Sequence, residues 1–550
     1  MISRVSKMHP LRLCLGALAV MSFVSGISVQ PSSVGARAVT SNPVLYEDFA
    51  DNDITRVNDT YYFSASTMHF SPGAPILQSK DLVNWKVIGH SVPRLDFFDD
   101  NAYDLVNSTA YIRGIWASTL RYRPSNKKWY WIGCVDWVRS FIYTADSPTG
   151  EWTQAGVINN CYYDCGLFID QNSNGGGGDT LYVAYGGGNN LSVAQLDAAG
   201  TAEVSNKVVW SYDKGREGNR MYKKDGFYYV ITDSPDEGSQ LIVRSTDPFG
   251  PYENRTFWSN SIGSPIAGTG APIQGSLVDT PDGHWYFMSF AWAFPEGRSP
   301  VLAPVTWTQD GWPQVTFNNN NWPTALSFPL PASTGPLQSW TGVDNFKSIG
   351  VEWEWNHNPD NSAWSINNGL VLKTASVTDD LYAAKNTLCH RILGPKANGT
   401  ILVDISRMTD GDRAGISMFR DLSGYIAVKQ DGSTRTLVMR NNINLSASTP
   451  GGTCCWSTSN KGNDVTTASV TGNQIWLRIT ADVAPTGSNQ AIFSYSTDGT
   501  RFTVLGNALV LDNSWQFFMG YRFGIFNFAT KALGGSVTVK SFAHVSARGS

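Results

Sequence analysis

Three carboxylates, Asp51, Asp164 and Glu217, each stand shortly before an aromatic hairpin of one recurring kind. The hairpin is a polar turn followed by an aromatic pair. It reads NDTYYF at 58–63, NKKWYWI at 126–132, GDTLYVAY at 178–185, DGFYYVI at 225–231 and DGHWYFM at 282–288. Asp51 precedes Tyr62 by 11 residues and Glu217 precedes Tyr229 by 12. Asp164 precedes Tyr182 by 18, and the insertion NSNGGGG at 172–178 accounts for most of the excess. The spacing therefore predicts three acids at one phase of an internal repeat. Carboxylates are costly to bury together unless they are used. Their common use is general acid/base work, one carboxyl giving a proton and another taking one.

An element must bring these residues together. The repeat tyrosines Tyr62, Tyr130, Tyr182, Tyr229 and Tyr286 are 68, 52, 47 and 57 residues apart. Four-stranded units at about 40–50 residues and upward suggest propeller blades. The expected fold is all-β, with a five-bladed β-propeller over 42–325 whose innermost strands line a central channel. Acids at equivalent positions would meet at its axis. A second recurring element reads SKDLVNW at 79–85, ADSPTGEW at 145–152 and STDPFGPY at 245–252. These are expected to be outer-strand turns, closed by Trp or Tyr against the blade core.

The segment NNNNWPTALSFPLPASTGP at 318–336 is rich in Asn and Pro, and a linker is expected over 326–344. From 345 to 548, strand-like runs such as GLVLKTA (369–375), TILVDIS (400–406), GYIAVKQ (424–430) and RFGIFNF (522–528) alternate with turns. They predict a β-sandwich. At 550 residues the chain also exceeds one ordinary core.

Composition narrows the partner. Charged residues make up 16% of the chain and aromatics 12%, with 20 Trp and 22 Tyr. That suits a β-rich protein handling uncharged sugar rings. It argues against nucleic acid, which needs a basic surface. Arg4, Lys7 and Arg12 lead into the apolar run 13–24, and Ala36-Arg37-Ala38 offers a cleavage site, so 1–38 reads as a secretory signal. The apolar run is short for a membrane span. Without those residues the chain carries 37 basic and 45 acidic groups, a net of −8. A secreted, extracellular protein with no membrane partner is expected.

Six cysteines remain after the signal: Cys134, Cys161, Cys165, Cys389, Cys454 and Cys455. Sequence does not choose their pairing. A Cys161–Cys165 bridge around Asp164 and free buried thiols are both open. No CxxC pair or His cluster points to zinc. Six sequons, at Asn58, Asn107, Asn190, Asn254, Asn398 and Asn444, are compatible with a secreted glycoprotein.

An Asp before a short strand is commonly a turn cap, and Asp48 and Asp53 are equally acidic neighbours of Asp51. The residues alone do not choose. Here the chain resembles glycoside hydrolase family 43. NPVLYEDFADNDITRVNDTYYFSAST at 42–67 is similar to the family's opening, with Ala50 and Asn52 replacing prolines. DCGLFID at 164–170 resembles its D-P-S-L-F-x-D strand, and REGNRMYKKDGFYYVITDS at 216–234 its E-G-P-x-x-x-K element. IWAS at 115–118 resembles W-A-P, and GRSPVLAPVTW resembles the end of the fifth blade. VEWEWNHNPDNSAWSI at 351–366 and LYAAKNTLCHRILGP at 381–395 look like the concanavalin-like, jelly-roll sandwich appended to many members.

The resemblance implies Asp51 as general base, Glu217 as general acid, Asp164 as the carboxyl that tunes and orients the acid, and Arg298 as a sugar contact. It also implies inversion at the anomeric carbon. That needs the base and acid carboxyls roughly 6.5–9.5 Å apart, leaving room for water. Trp116, Phe70 and Trp292 are candidates to shape the substrate pocket. Gln274 stands where many members carry an axial His, which weakens any expectation of a metal on the axis. No cofactor is expected to be required; structural calcium in the sandwich is compatible with the resemblance, without a diagnostic loop. His284, in a turn, is expected to face solvent.

The first reading is an exo-acting hydrolase of plant cell-wall polysaccharide: a monomer removing α-L-arabinofuranosyl branches from arabinoxylan, with arabinan and xylo-oligosaccharides as related substrates. β-Xylosidase is its neighbour, because the two sugars present similar hydroxyls. A non-catalytic carbohydrate-binding propeller is the alternative of another class, and an intact acid triad speaks against it. A propeller for protein contacts needs no convergent acids.

Overall fold

The computed structural model describes residues 40–98, 101–171, 178–234, 237–334 and 337–548. The expected signal segment and most of the 172–178 insertion lie outside them. The regular structure of the described chain is almost all strand, with two single-turn 3₁₀ helices, Ala102–Asp104 and Leu381–Ala383. No helix among the described residues is long and apolar enough to cross a membrane.

Five four-stranded antiparallel sheets follow one another along the first half of the chain. Their innermost strands are Asp53–Val57, Ile115–Arg123, Gly166–Gln171, Glu217–Lys224 and Ile273–Asp279, in blades 1 to 5. Each packs against the inner strand of the next blade, and that of blade 5 against that of blade 1, so the ring closes. The N-terminal segment seals it. Asn42 bonds Leu302 of blade 5 in both directions, at 2.8 Å each way, and Val44 N–H donates to the Pro300 carbonyl.

The second strand of each blade carries the aromatic pair: Thr60–Ser64, Lys128–Val135, Asp179–Tyr185, Phe227–Ser234 and Trp285–Trp292. These runs are nearly continuous in apolar residues because neighbouring blades cover both of their faces. The recurring outer turns behave as expected. Trp85 Nε1 donates to the Leu82 carbonyl, Trp152 Nε1 to Pro148 and Tyr252 Oη to Pro248, so each ring closes its own turn while buried in the blade.

The second half folds into two large antiparallel sheets packed face to face around an apolar core that includes Trp353, Ile401, Ile416, Leu477, Phe493 and Phe523. One sheet takes an edge strand from the propeller. Phe70–Ser71 pairs with Trp353–Asn356, so blade 1 and the sandwich share a ladder. The seam is polar as well. Glu354, fully buried, meets Arg391 at 2.9 Å, His90 at 3.2 Å and Arg522. Asn358 exchanges hydrogen bonds with Leu95, and His357 Nε2 accepts from Ala110 N–H.

Cys134 is bridged to Cys161, tying the second strand of blade 2 to the segment that leads into Asp164. This settles the open pairing against a Cys161–Cys165 bridge. Cys165 is a buried free thiol whose Sγ–H donates to the Ile132 carbonyl. Cys389 is also free and buried, and the adjacent Cys454 and Cys455 are joined.

Candidate active site

The β-ladders define where the acids sit. In blades 1, 3, 4 and 5, one position lies four residues before the residue that pairs with the repeat tyrosine. It is Asp51 (Thr55 pairs with Tyr62), Asp164 (Phe168 with Tyr182), Gly218 (Tyr222 with Tyr229) and Gln274 (Val278 with Tyr286). All four have left-handed backbone, with φ of 57°, 48°, 67° and 50°. Asp and Asn-like side chains tolerate that region better than bulky ones. The expectation of one phase for three acids therefore holds for Asp51 and Asp164, and needs correcting for Glu217. Glu217 stands one residue earlier, at a register shift between Glu217 and Arg220. The station itself is Gly218, where a Cβ would fall 2.4 Å from Gln274 Cγ.

Asp51 is buried and receives two donors. Ser66 Oγ–H bonds Oδ2 at 2.5 Å and Arg298 Nη1 bonds Oδ1 at 2.9 Å. Its acidic neighbours have other tasks. Asp53 is wholly buried against Arg121 at 2.5 Å and Arg220 at 3.3 Å, inside the channel. Asp48 accepts the backbone N–H groups of Arg298 and Gly520. The structure thus distinguishes three acids that composition does not. Arg220, buried, also donates to the backbone carbonyls of Asp51 and Cys165, tying blades 1, 3 and 4 at the axis.

Asp164 Oδ2 accepts from Gly218 N–H at 3.0 Å and from Gln274 Nε2 at 2.7 Å. Burial, then the charges of Glu217 and Asp51, push its pKa well above the usual carboxylate range. With Oδ2 taken by two donors, Oδ1 is the oxygen left to carry a proton. Glu217 accepts from Tyr163 Oη at 3.2 Å, and its backbone carbonyl accepts from Thr232. Burial and the surrounding carboxylates raise the Tyr163 pKa, so its phenol remains a donor.

Asp233 was not singled out in the sequence. It is the cross-strand partner of Glu217, wholly buried, with Gln240 Nε2 donating to Oδ1 at 2.8 Å. Its signal was the polar TDS that ends the DGFYYVI hairpin.

The aromatic side chains beside Arg298 and Asp51 come from both halves of the chain. The sandwich residue Phe518 sits 4.8 Å from Trp116 and 6.4 Å from Trp292, ring centre to ring centre. The Arg298 guanidinium lies 5.3 Å from the Phe290 ring, 5.8 Å from Trp292 and 5.9 Å from Phe518. Trp116, Trp292 and Arg298 are therefore brought together with Asp51. Two exposed indoles stand outside them, Trp137 against Trp116 and Trp515 against Trp292 and Phe518.

Phe70 is placed elsewhere, as a correction. Its ring lies under Arg522 at 3.5 Å and stacks on His69 within the seam, because its strand pairs with the sandwich. Gln274 reaches the axis, where its Nε2 donates to Asp164. Among the described residues no group of three or more His, Cys, Asp or Glu could hold a metal ion. His284 is half exposed beside Asp282.

This geometry can be set beside known proteins. The model of glycosyl hydrolases family 43 matches residues 40–313, and that of the β-xylosidase C-terminal concanavalin A-like domain matches 343–544. A β-xylosidase of Formosa agariphila is 26% identical over 92% of this chain and 90% of its own. A non-reducing end α-L-arabinofuranosidase of Bacteroides ovatus is 30% identical over 60% of this chain and 64% of its own. A solved family 43 structure is 42% identical with a TM-score of 0.85, over 92% of this chain and 99% of that one. It is described as engineered at the active site to display both endo-xylanase and exo-arabinofuranosidase activity. With an acid cluster on the propeller axis, the appended sandwich, and that likeness over nearly the whole length, the chain belongs to glycoside hydrolase family 43 and is a glycosidase.

Proposed function

We propose that this glycosidase is secreted and removes terminal α-L-arabinofuranosyl branches from arabinoxylan with inversion. Glu217 protonates the departing glycosidic oxygen. Asp51, held by Ser66 and Arg298, takes a proton from the attacking water. Asp164 and Tyr163 orient Glu217 and surround it with acidic and phenolic oxygens, so that it keeps its proton.

The observation that carries the branch-cutting reading is the rim. Exposed Trp137 and Trp515 flank the cluster of Trp116, Phe518 and Trp292, an aromatic surface on which a polysaccharide main chain can lie while one sugar reaches toward Asp51. The exo-arabinofuranosidase activity in the description of the 42%-identical structure supports it. The naming of the Formosa relative favours a second reading, exo-β-1,4-xylosidase on xylo-oligosaccharides.

Sugar release from wheat arabinoxylan and from xylobiose, with Glu217→Ala as control, tests both. Arabinose alone, lost in the variant, is the expected result. Xylose from xylobiose would promote the second reading. Polysaccharide bound without release of either sugar would return the chain to a binding module. The secretion reading is tested by N-terminal sequencing of protein recovered from culture medium, expected to begin at or before residue 39.

A further inference from the structure

Beneath Glu217 lies a carboxyl that the reading above leaves unused. Glu217 and Asp233 are directly opposed across the first and second strands of blade 4, so their side chains share one face. Opposed Cβ atoms in such a pair are about 4.5–5.5 Å apart. The next residue in the row, Gln240, is opposed to Asp233 and donates to Oδ1 at 2.8 Å. Asp233 is 0% exposed, and its Oδ2 has no hydrogen-bond partner.

A buried carboxylate with one unpaired oxygen is costly as an anion. Two such anions face to face are costlier. The charged groups around Asp233 are Glu217 on the opposed strand, Asp164 from blade 3, Asp51 from blade 1 and Arg216 just before the inner strand. Arg216 is itself committed to Glu237 at 2.9 Å and lies over the Tyr212 ring. Burial first, then Glu217 and Asp164, raise the Asp233 pKa well above the usual range, which agrees with the geometry.

We infer that Glu217 and Asp233 hold one proton between them, and that Asp233 is the positioning residue that keeps Glu217 supplied with it. When the proton is on Glu217, the charge left on Asp233 is met by the Gln240 N–H and, without contact, by the field of the Arg216 guanidinium. Losing the shared proton would leave two anions facing each other across the strand pair, so it leaves at higher pH than it would from Glu217 alone. When Glu217 gives its proton to the leaving oxygen, the pair stays short of one proton until the next is taken from water.

The inference rests on Glu217 being the general acid. The experiment compares wild type, Asp233→Asn, Gln240→Leu and Glu217→Ala. It measures kcat/KM against pH on arabinoxylan and on an aryl arabinofuranoside, whose leaving group needs little protonation. For Asp233→Asn, the basic limb on arabinoxylan is expected about one pH unit lower, since one like charge is removed. At neutral pH the polysaccharide rate should fall several-fold more than the aryl rate. Gln240→Leu spares both carboxyls but removes the donor to Asp233 Oδ1, so it should move the same limb the other way, to higher pH. An unmoved basic limb in both variants, or equal losses on both substrates, overturns the inference. Unchanged polysaccharide activity in Glu217→Ala would instead overturn the acid assignment beneath it.

Discussion

At the scale of the residue, the four stations around the axis divide the labour by what each carries. Asp51 and Asp164 share one backbone conformation but not one environment. Asp51 meets a guanidinium and a hydroxyl, while Asp164 meets amide N–H groups and other acids. Replacing Asp51 or Glu217 by Ala should cost about 10²–10⁴ in kcat each, as measured on arabinoxylan, and Asp51→Ala should also lower the thermal midpoint, because it leaves the buried Arg298 guanidinium unpaired. Ser66→Ala removes one donor from Asp51 and should cost less, about tenfold in kcat. Asp51 and Asp164 were legible through the family resemblance, and the ladders place both at one phase. The exact seat of Glu217 was not, because a register shift moves it by one residue and leaves no mark in the spacing. Asp233 was hidden for a different reason. It ends a strand otherwise read as core, and only the ladder opposes it to Glu217.

At the scale of the element, two kinds of segment build the pocket. Inner strands set the acids, and their position followed from the aromatic repeat. The rim loop carrying Trp515 and Phe518 comes from the sandwich, more than 200 residues beyond Trp292. No periodicity links residues so far apart, so the sequence reading names no pocket residue from the sandwich. Phe70 went astray for the converse reason: it follows the second strand of blade 1 rather than the inner one, and its backbone finds partners on the sandwich edge. Trp515→Ala should raise KM for arabinoxylan severalfold and leave the aryl arabinofuranoside KM within about twofold, because the exposed indole lies outside the sugar pocket. Initial-rate kinetics on the two substrates checks this.

At the scale of the whole molecule, the two halves share structure. A strand from blade 1 completes a sandwich sheet, and Met68, Tyr111 and Trp116 pack in one cluster with Tyr382, Phe517 and Phe526. A chain ending at 325 should therefore yield little soluble protein, measured as the soluble fraction on expression beside the full chain. The seam also makes stability depend on pH. Burial lifts the Glu47 carboxyl from 4.5 to about 8, against the opposing pull of Arg391 and Arg522. The folded form then keeps a proton that the unfolded chain releases above pH 4.5. Stability should fall as pH rises from about 4.5 to 8, by up to roughly 1.4 kcal/mol per pH unit. Melting curves of Glu47→Gln across that range should fall less steeply than those of the wild type.

The axis is best pictured as a turret with interchangeable sockets. Four sockets share one backbone shape and are filled by an acid, an acid, a glycine and an amide. The proviso on any exchange of contents is that neighbours agree in charge and in volume, as Asp51 agrees with the buried Arg298. Gly218 and Gln274 show that proviso at work, since one is empty where the other is full. Descendants of such a turret can change what they cut by refilling sockets in matched pairs, and a single swap at 218 is the move this arrangement forbids.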